Sequence, residues 1–165
     1  MLLAVALATG SEPQSLEQLR AGIANQALEP VAIMVPNEPL ELEPDEDMRM
    51  AAPGCARSGC LSPAYVTCGV MIFQALPIRN ALLQLATRPK GKTPRPFRAD
   101  FWIELTPTAA AGPSTFIYFR KNASNGLDVE VNEMTATMPA NGAAIMRSIA
   151  RQCPVIEAER KSSQG

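Results

Sequence analysis

The residues best suited to covalent chemistry are four cysteines: Cys55, Cys60, Cys68 and Cys153. The first three lie close together and the fourth follows a long gap. This is neither the paired C-x2-C of a zinc ribbon nor the C-x-x-C of a thioredoxin-like redox site. An even count fits two disulfides in an oxidising compartment. Four cysteines allow three pairings, and the spacing does not choose among them. The expectation adopted is a local loop, Cys55 to Cys60, and a long staple, Cys68 to Cys153. Histidine is absent. Its absence removes the commonest general base, the commonest metal ligand and the physiological pH switch, and it rules out Ser-His-Asp and Cys-His catalysis.

Two charged stretches are the next candidates. Arg88-Pro-Lys-Gly-Lys-Thr-Pro-Arg-Pro-Phe-Arg98 reads as a loop with five cations: Arg88, Lys90, Lys92, Arg95 and Arg98. It lacks the order of a P-loop, so no nucleotide site is expected. Its prolines limit the entropy lost on ordering, so it is a candidate for an anionic partner. Pro36 to Pro53 holds Glu38, Glu41, Glu43, Asp45, Glu46 and Asp47 among prolines. The contiguous Asp-Glu-Asp has no glycine turn and no closing Glu, so it fails the EF-hand pattern and reads as a solvated linker. No metal and no cofactor is expected. Carboxylate catalysis would draw on Asp100 or Glu104 with Arg98 or Arg120. Asn122-Ala-Ser124 is a glycosylation sequon. The formal charge of −1 gives no global signal for nucleic acid or membrane.

The elements that must position these residues follow from periodicity. Phe101, Ile103 and Leu105 alternate with Trp102, Glu104 and Thr106, the signature of a half-buried strand. Thr115 to Arg120 is apolar on both faces and reads as the central strand. Leu127, Val129 and Val131 alternate with Asp128, Glu130 and Asn132, giving a third strand with one wet face, at an edge. Tyr65 to Phe73 is rich in β-branched residues and reads as a fourth. The expected class is therefore α+β: an antiparallel sheet of three to four strands (about 65–73, 99–106, 115–121 and 127–133). Helices at about 16–28, 78–87 and 142–152 cover it. Ser15-Leu-Glu-Gln18 fits a capping box for the first. Pro77 suits the first turn of the second. Pro154 should stop the third.

The chain divides accordingly. Residues 1–10 read as a signal segment, with an apolar run and an Ala6-Leu-Ala8 cleavage site, although no Lys or Arg precedes the run. Residues 11–35 hold a helix and a short strand, 36–63 a Pro- and acid-rich linker with a cysteine loop, 64–154 the core and 155–165 a polar tail. Eight apolar residues are too few to span a bilayer as a helix.

Three functions fit this outline. The first is a small exported protein, periplasmic or secreted, that binds or builds without catalysis. Its partner would be a protein or an envelope component, met on the sheet face of Trp102, Glu104 and Tyr118 or on the basic loop. If the apolar start is not a signal, the protein is cytoplasmic. The second is a nucleic-acid or anion-binding module. From Pro77 to Gln152 the expected order α-β-β-β-α resembles the topology of the double-stranded RNA-binding domain, with Gly112-Pro113 before the middle strand. That family's lysine cluster at the last helix is missing here, where Met138-Pro-Ala-Asn-Gly-Ala carries no cation. The third is an enzyme with a carboxylate site.

Overall fold

Ser15 starts the first helix as its type predicts. Its Oγ accepts a hydrogen bond from the Gln18 amide at 3.1 Å. The reciprocal arm of the capping box goes elsewhere, since Gln18 Oε1 accepts from the Gln14 amide at 2.8 Å. This helix, α1, spans Leu16–Ala24 and buries Leu19 and Ile23. It ends four residues earlier than the apolar spacing suggests. Asn25 caps it, the Asn25 side chain accepts from the Ala27 amide, and Gln26 turns to φ 62°.

The structure is a computed structural model that describes residues 12–36, 40–42, 65–88, 97–109, 112–132 and 134–163; for 40–42 and 154–163 it describes the backbone alone. After α1 come β1 (Leu28–Pro36), β2 (Leu40–Leu42), β3 (Tyr65–Gly69) and α2 (Ile72–Leu82). Then follow β4 (Ala86–Thr87), β5 (Phe97–Ala99), β6 (Phe101–Pro107), β7 (Thr115–Lys121), β8 (Leu127–Val131), β9 (Met134–Met138) and α3 (Ala140–Ser163). The class is mixed α+β, but the expectation of three to four strands is wrong. One antiparallel sheet has seven strands in the order β3-β1-β6-β7-β8-β9-β4, and β2 and β5 pair separately.

Each difference has a local cause. Val31 to Val35 belongs to a nine-residue strand that passes Pro30 by a register shift between Pro30 and Ala32. The expected 65–73 strand ends at Gly69 and lies at the sheet edge, with Thr67 and Gly69 exposed. The expected 78–87 helix begins at Ile72, so Pro77 sits inside it rather than in its first turn. The 127–133 strand is interior and all five residues of β8 are buried. Asn132, at φ 45°, turns the chain into β9, a strand absent from the periodicity-based expectation. Pro154 does not end α3, which runs to Ser163 and includes most of the stretch expected to fray. The linker contributes β2.

β7 is central, as its two apolar faces imply. One sheet face carries the helices. Phe101, Ile103, Leu105, Ile117, Phe119, Val129 and Met138 pack there against Leu19, Ile23, Ile78, Leu82, Met146 and Ile149. Burying such side chains contributes about 1.5–3 kcal/mol each. The opposite face holds a second cluster of Met34, Phe97, Ala99, Trp102 and Tyr118. Among the described residues, no helix is long and apolar enough to cross a membrane.

Candidate functional site

The Cys68–Cys153 disulfide is present. It joins the edge strand β3 to α3 across 85 residues, with Cα atoms 5.6 Å apart and both residues buried. Cys55 and Cys60 lie outside the described residues.

The sheet face opposite the helices gathers most of the singled-out polar residues. Antiparallel registry lines up Met34, Trp102, Tyr118, Glu130 and Thr135 across five strands. Trp102 meets Tyr65 edge-on at 5.4 Å and Tyr118 at 5.9 Å. Trp102 and Tyr118 are each 1% exposed, so the face expected to meet a partner is interior at these two residues, while Glu104 beside them is half-buried. The Trp102 indole N–H has no hydrogen-bond partner among the described residues. Burial pushes the Tyr118 phenol up to about 12.

One row further along, Arg120 stands opposite Asp128. Its Nη2 donates to Asp128 Oδ2 at 2.8 Å, and its guanidinium lies 4.6 Å from the centre of the Phe97 ring. Asn122 Nδ2 donates to Asp128 Oδ1 at 3.3 Å. Arg88 Nη1 lies 3.2 Å from Asp128 Oδ2, an ion pair without hydrogen-bond alignment. Burial alone would raise the Asp128 carboxyl. The hydrogen bonds from Arg120 and Asn122, with the charges of Arg88 and Arg120, outweigh it and hold the carboxyl below its ordinary value. The face expected to be wet is therefore buried, and at Asp128 two arginines, Arg120 of β7 and Arg88 just past β4, offset the charge.

This geometry redistributes the candidate anion-binding residues. Arg88 serves Asp128. Arg98 is exposed on β5, at the register position opposite Glu41 of β2. Lys90, Lys92 and Arg95 lie outside the described residues. The carboxylates proposed for catalysis have structural partners. Asp100 Oδ2 accepts from the Lys121 amide at 2.7 Å, and Glu104 accepts from the Ser114 hydroxyl. Arg120 pairs with Asp128. The sequon amide is engaged too: Asn122 Oδ1 accepts from the Ser124 and Gly126 amides at 3.0 Å each. The α-β-β-β-α order does not survive, because six strands separate α2 from α3.

The start of α2 is the feature that sequence reasoning missed. Gln74 is 4% exposed, and its Oε1 accepts from the Met71 amide at 3.0 Å. That bond fixes the first turn with Gln74 inward. Ile72, Phe73 and Leu76 then face water, at 96%, 69% and 59% exposure, with Met71 and Val31 beside them. The helix has turned a polar side chain in and three large apolar ones out. The available signal was Val70-Met-Ile-Phe73, too apolar for the end of a half-exposed edge strand. No protein family, no curated protein and no solved structure matches this chain.

Proposed function

We propose that this is an exported, disulfide-stapled protein that acts by binding another macromolecule through the outward face of α2, without a catalytic step of its own. The observation that carries the reading is the exposure of apolar side chains at the start of α2. Leaving Ile72, Phe73 and Leu76 in water forgoes about 1.5–3 kcal/mol for each side chain that burial would return, and docking recovers it. Exposed apolar patches of this kind mark interaction sites. The buried Cys68–Cys153 staple supports a periplasmic or extracellular setting, where disulfides form and persist. The opposite sheet face supports binding over chemistry, because Asp100, Glu104 and Asp128 each hold hydrogen bonds within the fold.

The test is a photo-crosslinking residue placed at Phe73, with a second at exposed Glu17 of α1 as control, in the organism's own cells. A discrete adduct from position 73 alone, with Cys68 and Cys153 protected from alkylation, supports the reading. No adduct from position 73 overturns the binding surface, and alkylated Cys68 and Cys153 overturn the exported setting.

A further inference from the structure

Independently of the α2 surface, we infer that the turn between β7 and β8 is a self-modification site: Asn125 cyclises onto the Gly126 amide and becomes aspartate or isoaspartate, a reaction that Asn122 latches and Arg147 favours. Asparagine before glycine is the pair most prone to this chemistry, because glycine has no Cβ to hinder its nitrogen. The chain has two such pairs, Asn125-Gly126 and Asn141-Gly142. Their settings differ. Asn141-Gly142 lies in the first turn of α3, where the Ala143 amide donates to the Pro139 carbonyl at 2.9 Å. A helical backbone points the asparagine side chain back toward the helix N-terminus, away from the nitrogen that follows it. Asn125-Gly126 lies in a turn, with Asn125 exposed and at φ 60°.

The Gly126 nitrogen gives its proton to hydroxide and attacks Asn125 Cγ. The bond from Cγ to Nδ2 breaks, ammonia leaves and a succinimide ring remains. Water then opens the ring at one of its two carbonyls. One opening gives aspartate; the other gives isoaspartate, whose main chain runs through the side-chain carbon. One water is consumed and one ammonia released, with no oxidant or reductant. Isoaspartate lengthens the main chain where a Cβ on Gly126 would already meet the Met138 carbonyl oxygen, so the turn must shift to hold it.

Two contacts on the reacting peptide act in opposite directions. The Gly126 N–H donates to Asn122 Oδ1 at 3.0 Å. That oxygen also accepts from the Ser124 amide at 3.0 Å, and Asn122 Nδ2 donates to Asp128 Oδ1 at 3.3 Å, so the acceptor is fixed in place. Its lone pair stabilises the N–H and would repel a nitrogen that has lost its proton. Asn122 is therefore the latch. Arg147 Nη1 donates to the Asn125 carbonyl at 2.8 Å, and it lies 3.5 Å from the Gly126 carbonyl. When the Gly126 nitrogen loses its proton, amide resonance shares the charge with the Asn125 carbonyl oxygen. A guanidinium is always charged and binds that anionic oxygen more strongly than the neutral one. Arg147 comes from α3, so the fold supplies the group that favours the reaction together with the group that restrains it.

The test is incubation of the full oxidised chain in mildly alkaline buffer, below its melting temperature. Peptide mapping counts aspartate and isoaspartate at 125 and at 141, and released ammonia is measured. Asn122→Ala should speed conversion at 125 about tenfold, the effect of losing one hydrogen bond. Conversion at 141 should not change. Arg147→Gln, added to Asn122→Ala, should then slow position 125 about tenfold or more. The sign is decisive, because a turn that is merely loosened would convert faster on losing a second restraint. Asn125→Gln is the control and should give no product at 125. Trp102 fluorescence reports whether each variant is folded. Should Asn122→Ala not fold, Arg147→Gln alone must convert more slowly at 125 than wild type. A folded Asn122→Ala chain no faster than wild type at 125 overturns the latch. Faster conversion on loss of Arg147 overturns the role of Arg147. Conversion at 125 no faster than at 141 in Asn122→Ala overturns the site.

Discussion

Removing the long staple is the sharpest test of how this fold is held. Cys68 and Cys153 close a loop of 85 residues. In the chain-entropy treatment, opening a loop of that length releases about 4.5 kcal/mol worth of denatured-state freedom at 25 °C. Both side chains are buried, at 3% and 1% exposure. Changing both to alanine therefore removes one sulfur each from a packed site, which adds to the loss. The measurement is guanidinium unfolding of the oxidised wild type against Cys68→Ala/Cys153→Ala, followed by fluorescence of the single tryptophan, Trp102. The variant should lose about 4–5 kcal/mol, with a drop of roughly 9–18 °C in Tm for a chain of this size. Its m-value should rise, because the uncrosslinked denatured chain exposes more surface. Amide exchange should show the loss spread over β3, β1 and α3 rather than confined to Gly69 and its neighbours. A loss under about 1 kcal/mol with an unchanged m-value would refute the argument. It would mean that the denatured chain already holds β3 and α3 together.

Three further outcomes follow from the polar face and its turn. Asp128→Asn should cost about 1–3 kcal/mol in urea unfolding, since Arg88 and Arg120 keep their charge beside a neutral amide. The lowered Asp128 carboxyl makes its contribution fully present above an unfolded value near ~4 and lost as pH falls through the folded value. An acid titration of stability should therefore be flatter in the Asn variant. Tyr118, held at about 12, should resist ionisation in an alkaline absorbance titration. Stability should fall as pH rises above ~10, where the unfolded phenol ionises and the folded one does not, and Tyr118→Phe should remove that fall. Gly126→Ala should cost about 1–3 kcal/mol in thermal unfolding, because its Cβ would collide with the Met138 carbonyl oxygen and the turn has little room to give.

What could be read from the sequence was whatever local period decides. Alternation in Phe101–Thr106 gave β6, the two apolar faces of Thr115–Arg120 placed β7 at the centre, and Ser15 marked α1. The Cys68–Cys153 disulfide is one of three pairings the spacing leaves open, and geometry, not spacing, selects it. What failed depended on partners far along the chain. Asp128 and Glu130 look wet until Arg120 of β7 and Arg88, just past β4, reach Asp128 and the sheet buries both. β9 hid because Thr135 and Thr137 alternate with methionine and alanine, which carry little strand preference of their own. Asn-Gly at 125–126 marked a real turn, but Asn125 takes the positive φ of 60° and Gly126 is needed for close approach to Met138. Pro77 drew the helix start too late, because the decisive signal was Gln74 reaching back to Met71.

The placement of β1 has a consequence for the order in which the protein can be made. β1 lies between β3 and β6, and its longest pairing runs from Leu28 to Pro107. The first described strand therefore has no complete berth until Pro107 has emerged. Hairpins β6–β7, β7–β8 and β8–β9 close locally, whereas β1 must wait for partners across a long loop, a step that topology makes slow. Until then β1 has its β3 partner within reach but not its β6 partner. Because β3 meets the sheet through β1 alone, the join of β1 to β6 is what unites the β3 edge with the C-terminal meander.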